Sequence, residues 1–339
     1  MIGPSRSHPL AGIRLGFIGK GGAGKSTLVV LFARALARLG YEVVVLDGDS
    51  TNVGLHSALG IDDPPRPLLE YFGGSVFSGG AVTCPVDDPT ALAGATVRLA
   101  DLADRYARRT RDGIWLLVAG KLAELGTGAG CDGPIAKIAR DLEIRLESDR
   151  GVILVDLKAG FEDSARGVIV HLDAVMGVVD PTIVSVRMAV SLGRLVTAIR
   201  VGDLPATRHL GGRSLVALAN ELYRTARIRQ VFVVLNRISE ADTEAMLRGT
   251  LAAAGVSVTG VVHEDVGLSH AWLLGEVLDG RSLGPDVEQI VESIEAAVTG
   301  WPARGHAIDR ASGTESSRKT GTVHQHLGRS VQRSQTTAE

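Results

Sequence analysis

Gly19-Lys20-Gly21-Gly22-Ala23-Gly24-Lys25-Ser26 is the stretch that decides the fold. It fits G-x-x-x-x-G-K-[ST], a phosphate-cradling loop. An apolar run from Ile13 to Ile18 precedes it, and a helix-patterned segment from Thr27 to Leu39 follows. The order is therefore strand, loop, helix, as such a loop requires. Glycines at 19, 21, 22 and 24, with Ala23 between, let the backbone turn tightly and bring N–H groups up to phosphate oxygens. The helix that opens at Ser26-Thr27 adds partial positive charge at its N-terminus. Lys25 is placed to reach the β- and γ-phosphates, and the Ser26 hydroxyl to bind Mg²⁺. A glycine-rich turn without a ligand is the plain alternative. It does not account for strand, Lys25-Ser26 and helix standing together in register.

Outward from the loop, apolar residues at Leu28, Leu31, Phe32, Ala35 and Leu39 repeat with a helical period, and Gly40 stops the helix. Glu42 to Leu46 is a continuous Val-rich run, as expected of a strand buried on both faces. It ends in Asp47-Gly48-Asp49-Ser50-Thr51-Asn52. A second such run, Gly151 to Val155, ends in Asp156. A carboxylate ending an apolar strand beside a phosphate loop is placed to hold the water shell of Mg²⁺. Further strands are expected at 113–119, 174–179, 231–235 and 257–262, with helices at 134 onward, 184–200, 214–223, 241–254, 268–278 and 285–298. The fold class is α/β, a P-loop NTPase with a mostly parallel sheet and helices on both faces, over residues 12–300. Residues 1–11 read as a flexible arm. Residues 56–112 read as an insertion with a short helix at 68–72, a hairpin carrying Cys84 and an amphipathic helix from Ala95 to Arg109. Residues 301–339 are rich in Ser, Thr, Gly, Arg and Gln, and read as a disordered tail of net charge about +3.

Lys20, just after the first glycine, is not required by the general motif. The form G-K-G-G-x-G-K-[ST] resembles the deviant Walker A loop of the MinD/ParA family, which includes the nickel-insertion ATPases of carbon monoxide dehydrogenase and the nitrogenase iron protein. The resemblance implies that Lys20 reaches across a homodimer to the partner's nucleotide. It implies ATP and Mg²⁺ as cofactors and a slow ATPase that acts as a molecular switch. Asp47 to Asn52 corresponds to the first switch, with Asp49 positioning the attacking water, Asp47 near Mg²⁺ through water, and Asn52 close to the γ-phosphate. D-L-K-A-G-F-E from Asp156 resembles the second switch, in which the Gly160 N–H meets the γ-phosphate. Asn236-Arg237 at a strand end resembles the adenine-reading Asn-Lys, and His263-Glu264-Asp265 the loop beside the base. Catalysis then comes from positioning and charge neutralisation by Lys20, Lys25, Mg²⁺ and Asp49.

The chain has 339 residues, 45% hydrophobic, 22% charged and 4% aromatic, which suits a globular domain with an aliphatic core. Two cysteines, Cys84 and Cys131, carry neither a disulfide framework nor a zinc pattern, so a reducing cytoplasm is the expected setting. The N-terminus lacks an apolar signal core, and the tail lacks the apolar face of a membrane anchor. Cys131 lies in the glycine-rich Gly126–Gly133, where relatives place cysteines near the dimer interface. That motivates a role in metallocentre maturation. Residues 181–237 carry nine Arg against Asp203 and Glu221. Arginines 187, 194, 200, 208, 213, 224, 227 and 229 motivate a ParA-like alternative, a positioning ATPase that holds DNA non-specifically. A regulatory ATPase with a protein partner and a small-molecule kinase remain open at this level.

Overall fold

Runs of valine and leucine with few polar interruptions commit β-strands that have both faces covered. The computed structural model describes residues 7–74, 80–122, 130–160, 167–203 and 212–301. In chain order these form β1 (Arg14–Gly19), α1 (Lys25–Arg38), β2 (Glu42–Asp47), α2 (Leu55–Leu59), α3 (Leu68–Tyr71), β3 (Thr96–Arg98), β4 (Arg108–Arg109) and β5 (Trp115–Val118). There follow α4 (Gly133–Asp141), β6 (Glu143–Arg145), β7 (Gly151–Asp156), β8 (Ala174–Val179), α5 (Ile183–Arg200), α6 (Arg213–Arg224) and β9 (Gln230–Ile238). The last elements are α7 (Ala241–Ala253), β10 (Val258–His263), α8 (Val266–Leu274) and α9 (Gly284–Val298).

The main sheet runs β10-β9-β8-β1-β7-β2-β5-β4. Its neighbours are parallel except for the edge pair β4–β5. Alternate residues feed opposite cores. Val43 and Val45 face α1 and α9, while Val44 and Leu46 face the side of α4 and α5. Phe17 packs edge-on to Phe32 of α1 at 5.6 Å between ring centroids, which fixes the helix over β1. Helix α1 stops where expected. Gly40 takes φ 88°, the Gly40 N–H donates to the Ala37 carbonyl and the Tyr41 N–H to that of Leu36, so the last turn's carbonyls are satisfied. Register puts Asp47 opposite Asp156 and Phe17 opposite the same Asp156. The carboxyl ends of β1, β2 and β7 therefore open into one crevice, where an open α/β sheet binds its ligand.

Four expectations change. The amphipathic helix read over Ala95–Arg109 is instead β3, a single 3₁₀ turn at Leu99–Asp101 and β4. Leu99, Leu102 and Tyr106 are all buried at helix-like spacing, but separate turns carry them into one core. Val97 finds a partner in Ile144 of β6, and this long-range pairing overrides the local period. Cys84 sits in a turn whose carbonyl accepts from Asp87 and Asp88, not in a strand of a hairpin; residues 75–79 lie outside the described residues. The helix expected to run to Leu278 ends at Gly275, with φ 67°. Of the expected arm, Leu10 is buried and donates its N–H to the Tyr41 hydroxyl at 3.1 Å, so the segment is docked from there. Residues 1–6, and all but Trp301 of the expected tail, lie outside the described residues.

Candidate nucleotide site

The loop after β1 turns through Gly22 (φ 82°) and Gly24 (φ 90°), backbone conformations that a Cβ would strain. At Gly19 a Cβ would stand 2.7 Å from the Val178 carbonyl, so the loop can leave β1 this closely only without a side chain. Lys25 is 6% exposed at the start of α1 and makes no ion pair among the described residues. Its charge acts on Asp156. The Ser26 hydroxyl donates to Asp156 Oδ2 at 2.6 Å and accepts from the Asn52 amide at 2.8 Å.

Asp156 is fully buried, and its Oδ1 has no hydrogen-bond partner among the described residues. Burial first, then the charge of Asp47, pushes its carboxyl up to about 7. Asp47 is pushed up to about 6 by burial, against the lowering charge of Lys121. A buried, unsatisfied carboxylate oxygen beside a hydroxyl and two more carboxylates is a donor set suited to a hard divalent cation. Among the described residues no cluster of three or more His, Cys, Asp or Glu forms a complete metal cage. Mg²⁺ does not need one, because it keeps water and takes phosphate oxygens as ligands. The residues present thus fit Mg²⁺ held by Ser26 directly and by Asp156 and Asp47 through water.

The loop after β2 is tightly tied. Asp47 Oδ1 accepts the Asp49 N–H at 3.2 Å, and Oδ2 accepts from Lys121 at 2.7 Å. Asp49 is 6% exposed, and its Oδ1 accepts from the Thr51 N–H and hydroxyl and from the Asn52 N–H. Loss of either partner of the Lys121–Asp47 pair would leave a buried charge uncompensated, which typically costs about 3–5 kcal/mol. Sequence reasoning passed over Lys121. The available signal was its position: a lone lysine just past the carboxyl end of β5, level with the acids of β2 and β7.

In the loop after β7, Gly160 (φ 95°) donates its N–H to the Gly19 carbonyl at 3.2 Å. Residues 161–166, including Glu162, lie outside the described residues. Lys158 pairs with Asp132 at 2.6 Å, and the Ser50 hydroxyl also reaches Asp132, at 3.4 Å, so the residue that opens α4 touches the loops after both β2 and β7. Lys20 lies apart from Lys25 and pairs within its own chain with Asp180 at 3.0 Å. Burial alone would raise the Asp180 carboxyl, but hydrogen bonds from Ser185, Thr182 and Lys20 outweigh it and hold it below its ordinary value.

Residues 17–277 match the CobQ/CobB/MinD/ParA nucleotide binding domain family. The chain belongs to this family. An ATP-binding protein of Methanocaldococcus jannaschii is 33% identical over 179 residues, 52% of this chain and 70% of that protein. The carbon monoxide dehydrogenase accessory protein CooC of Rhodospirillum rubrum is 28% identical over 68% of this chain and 81% of its own length. Among solved structures, the septum site-determining protein MinD of Pyrococcus horikoshii, complexed with Mg-ADP, superposes with a TM-score of 0.54. That match has 16% identity and covers 85% of this chain and 97% of the other; it shows the shared P-loop NTPase fold. The protein is thus a MinD/ParA-type, ATP-binding family member with the parallel sheet expected of it.

At the expected base-reading end, the Asn236 amide donates to the Ala23 carbonyl at 2.7 Å, and Arg237 donates to that of Gly22 at 2.9 Å. Arg237 takes φ 62°, a left-handed conformation that a non-glycine residue adopts at a cost. Asn236, Arg237, Glu264, Asp265, Leu268 and Trp272 line a cleft beside Thr27. Trp272, which sequence reading passed over, donates its indole N–H to the Thr27 hydroxyl at 2.8 Å.

The other sequence candidates fall elsewhere. Cys131 is exposed, and its sulfur accepts the Gly133 N–H at 3.3 Å. A Cβ at Gly133 would run into the sulfur of Cys84. Two cysteines distant in sequence thus meet at one glycine, and burial, with Cys131's charge adding, pushes the Cys84 thiol up. The arginines do not form one unpaired face. Arg187, Arg194 and Arg200 are exposed on α5, while Arg224 pairs with Glu221, Arg227 with Glu143, and Arg229 stacks over Trp301. Arg208 lies outside the described residues. No helix among the described residues is long and apolar enough to cross a membrane.

Proposed function

We propose that this protein binds ATP with Mg²⁺, hydrolyses it slowly, and couples the nucleotide state to formation of a homodimer that a partner reads. The observation that carries this reading is Asp156. Its buried, unpartnered Oδ1 lies beside Ser26 and below a glycine loop shaped for phosphates. Mg²⁺, when bound, supplies charge neutralisation on the phosphates. Lys25 offers a buried cation for the β- and γ-phosphates. Asp49 is the carboxylate for the attacking water, and Asn236 with the Trp272 cleft is the place for adenine. Gly160 is free to exchange the Gly19 carbonyl for a phosphate oxygen, which makes the second switch movable. Lys20 gives up Asp180 to reach a partner's nucleotide. No strong base is required, because phosphoryl transfer is governed by position and charge.

The test is light scattering after size exclusion, in the apo, ADP and ATP–Mg²⁺ states, for wild type and Lys20→Ala. The expected result is an ATP-specific dimer that Lys20→Ala abolishes. A monomer in every state overturns the dimer switch and leaves an ordinary nucleotide enzyme.

A second reading, metallocentre maturation, is favoured by one observation: Cys84 and Cys131 meet at Gly133, beside the ion pair that ties α4 to the second switch. A homodimer then offers four thiols, enough for a tetrahedral thiolate site. Stoichiometric nickel or zinc binding by the ATP-bound protein, lost in both Cys84→Ser and Cys131→Ser, supports it; absence of binding removes it. The DNA-holding alternative finds less support, since among the described residues Arg224, Arg227 and Arg229 are paired or stacked, which leaves Arg187, Arg194, Arg200 and Arg213 exposed on two helices. Its test is DNA binding with ATP at low salt.

A further inference from the structure

Lys121 is a buried cation that the phosphate-loop motif does not account for. Its side chain is 6% exposed. An ammonium has three donors. Here they go to the carboxylate Oδ2 of Asp47 at 2.7 Å, the carbonyl of Asp49 at 2.6 Å and the carbonyl of Asn52. The first acceptor ends β2 and the other two belong to the loop that follows it, so together they bracket Asp49 on both sides. Charge compensation of Asp47 needs only the first of these bonds. The other two are to neutral backbone carbonyls, so they serve the path of the loop. That path has consequences at its side chains. It places Asp49 where its carboxylate is ordered by Thr51 and Asn52, and it places the Asn52 amide 2.8 Å from the Ser26 hydroxyl.

We propose that Lys121 is a positioning residue for ATP hydrolysis. Its ammonium holds the first switch loop in the arrangement that presents Asp49 to the attacking water and Asn52 to Ser26, and it touches no part of the nucleotide. The proposal rests on the ATPase reading above. It separates binding from turnover: the phosphate loop alone retains ADP, while hydrolysis needs the loop that Lys121 holds.

The test uses the full chain and two measurements, steady-state ATP hydrolysis and calorimetric binding of ADP with Mg²⁺. The variants are Lys121→Met, and Lys121→Cys in a Cys84→Ser/Cys131→Ser parent before and after aminoethylation, which rebuilds an amine at lysine's length. In Lys121→Met, kcat is expected to fall by about 100-fold, the scale of a small misplacement of a reacting group. The ADP dissociation constant is expected to change by less than about tenfold, well below the effect on kcat, since Lys121 reaches the bound species only through Asp47. Aminoethylation is expected to restore turnover of the cysteine variant toward its parent. Wild-type kcat in Lys121→Met overturns the proposal. So does a folded, aminoethylated protein that stays as slow as unmodified Lys121→Cys, because then the amine is not what matters. A wild type that binds ADP but turns over no ATP fails at an earlier point. It overturns the ATPase reading, and this proposal with it, without reference to any variant.

Discussion

The two ends of the candidate nucleotide site are built in opposite ways. At the phosphate end, Lys25, Asp47, Asp49, Lys121 and Asp156 are all buried. At the base end, α8 buries none of its residues, and Leu273 is 81% exposed. The first end hangs on the carboxyl termini of β1, β2 and β7, which the sheet holds rigidly in register. Asp47 and Asp156 can be buried there because Lys121, just past β5, and Ser26 of α1 bond to them. The second end is a helix that rests Leu268, Ala271 and Trp272, only part-buried, on the core; Trp272 also donates to Thr27, and Asp265 caps the helix at the Gly267 and Leu268 N–H groups. Preorganisation is thus concentrated where charge must be handled, and the base side is left looser.

The contrast can be broken first at Lys25. Replacement by alanine is expected to lower affinity for ADP with Mg²⁺ by about 100-fold or more, as for loss of one partner in a desolvated charge pair. Calorimetry giving near-wild-type affinity would show that the phosphate end is less decisive than its burial suggests.

The next effect is pH dependence. Asp156 titrates near 7 and Asp47 near 6 in the fold, against an ordinary value of 3.8. Between about pH 4 and 7 the free folded protein holds protons that the unfolded chain has lost, so its stability falls as pH rises through that window. A divalent cation needs the ionised carboxylates, so affinity for ADP with Mg²⁺ is expected to rise from pH 6 to 8. Affinity for ADP without Mg²⁺ stays comparatively flat. Thermal unfolding and calorimetry over this range, with Asp156→Asn as the flattened control, measure both slopes.

At the base end the effects are smaller. Trp272→Phe removes the hydrogen bond to Thr27, and a stability loss of about 1 kcal/mol is expected in denaturant unfolding. Leu273→Ser with Leu274→Ser is expected to change stability by no more than about 0.5 kcal/mol, because neither side chain is buried. A larger loss would mean that another molecule covers α8 in solution.

Much of the phosphate end was legible in the chain, because its chemistry is local. A glycine loop between a strand and a helix, and acids that end apolar strands, can be read without knowing which strands are neighbours. The segment from Ala95 to Arg109 was misread because its buried residues mimic a helical period while being placed by β6, a strand about 47 residues further on in the case of Val97 and Ile144. Lys121 and Trp272 were passed over for the same reason: their partners, Asp47 and Thr27, are remote in sequence. The meeting of Cys84 with Cys131 at Gly133 has no local signal at all.

The amino-acid sequence by itself determined the class of fold, the phosphate loop, and the family to which the chain belongs, since each depends on residue types at short, fixed spacing. The tertiary structure alone decided that Lys121 ties down the loop after β2, that Asp156 keeps an oxygen without a partner among the described residues, and that Lys20 rests on Asp180. Those outcomes depend on strand order and register. A parallel sheet brings together the ends of strands that lie tens of residues apart, and no pattern along the chain records which ends become neighbours.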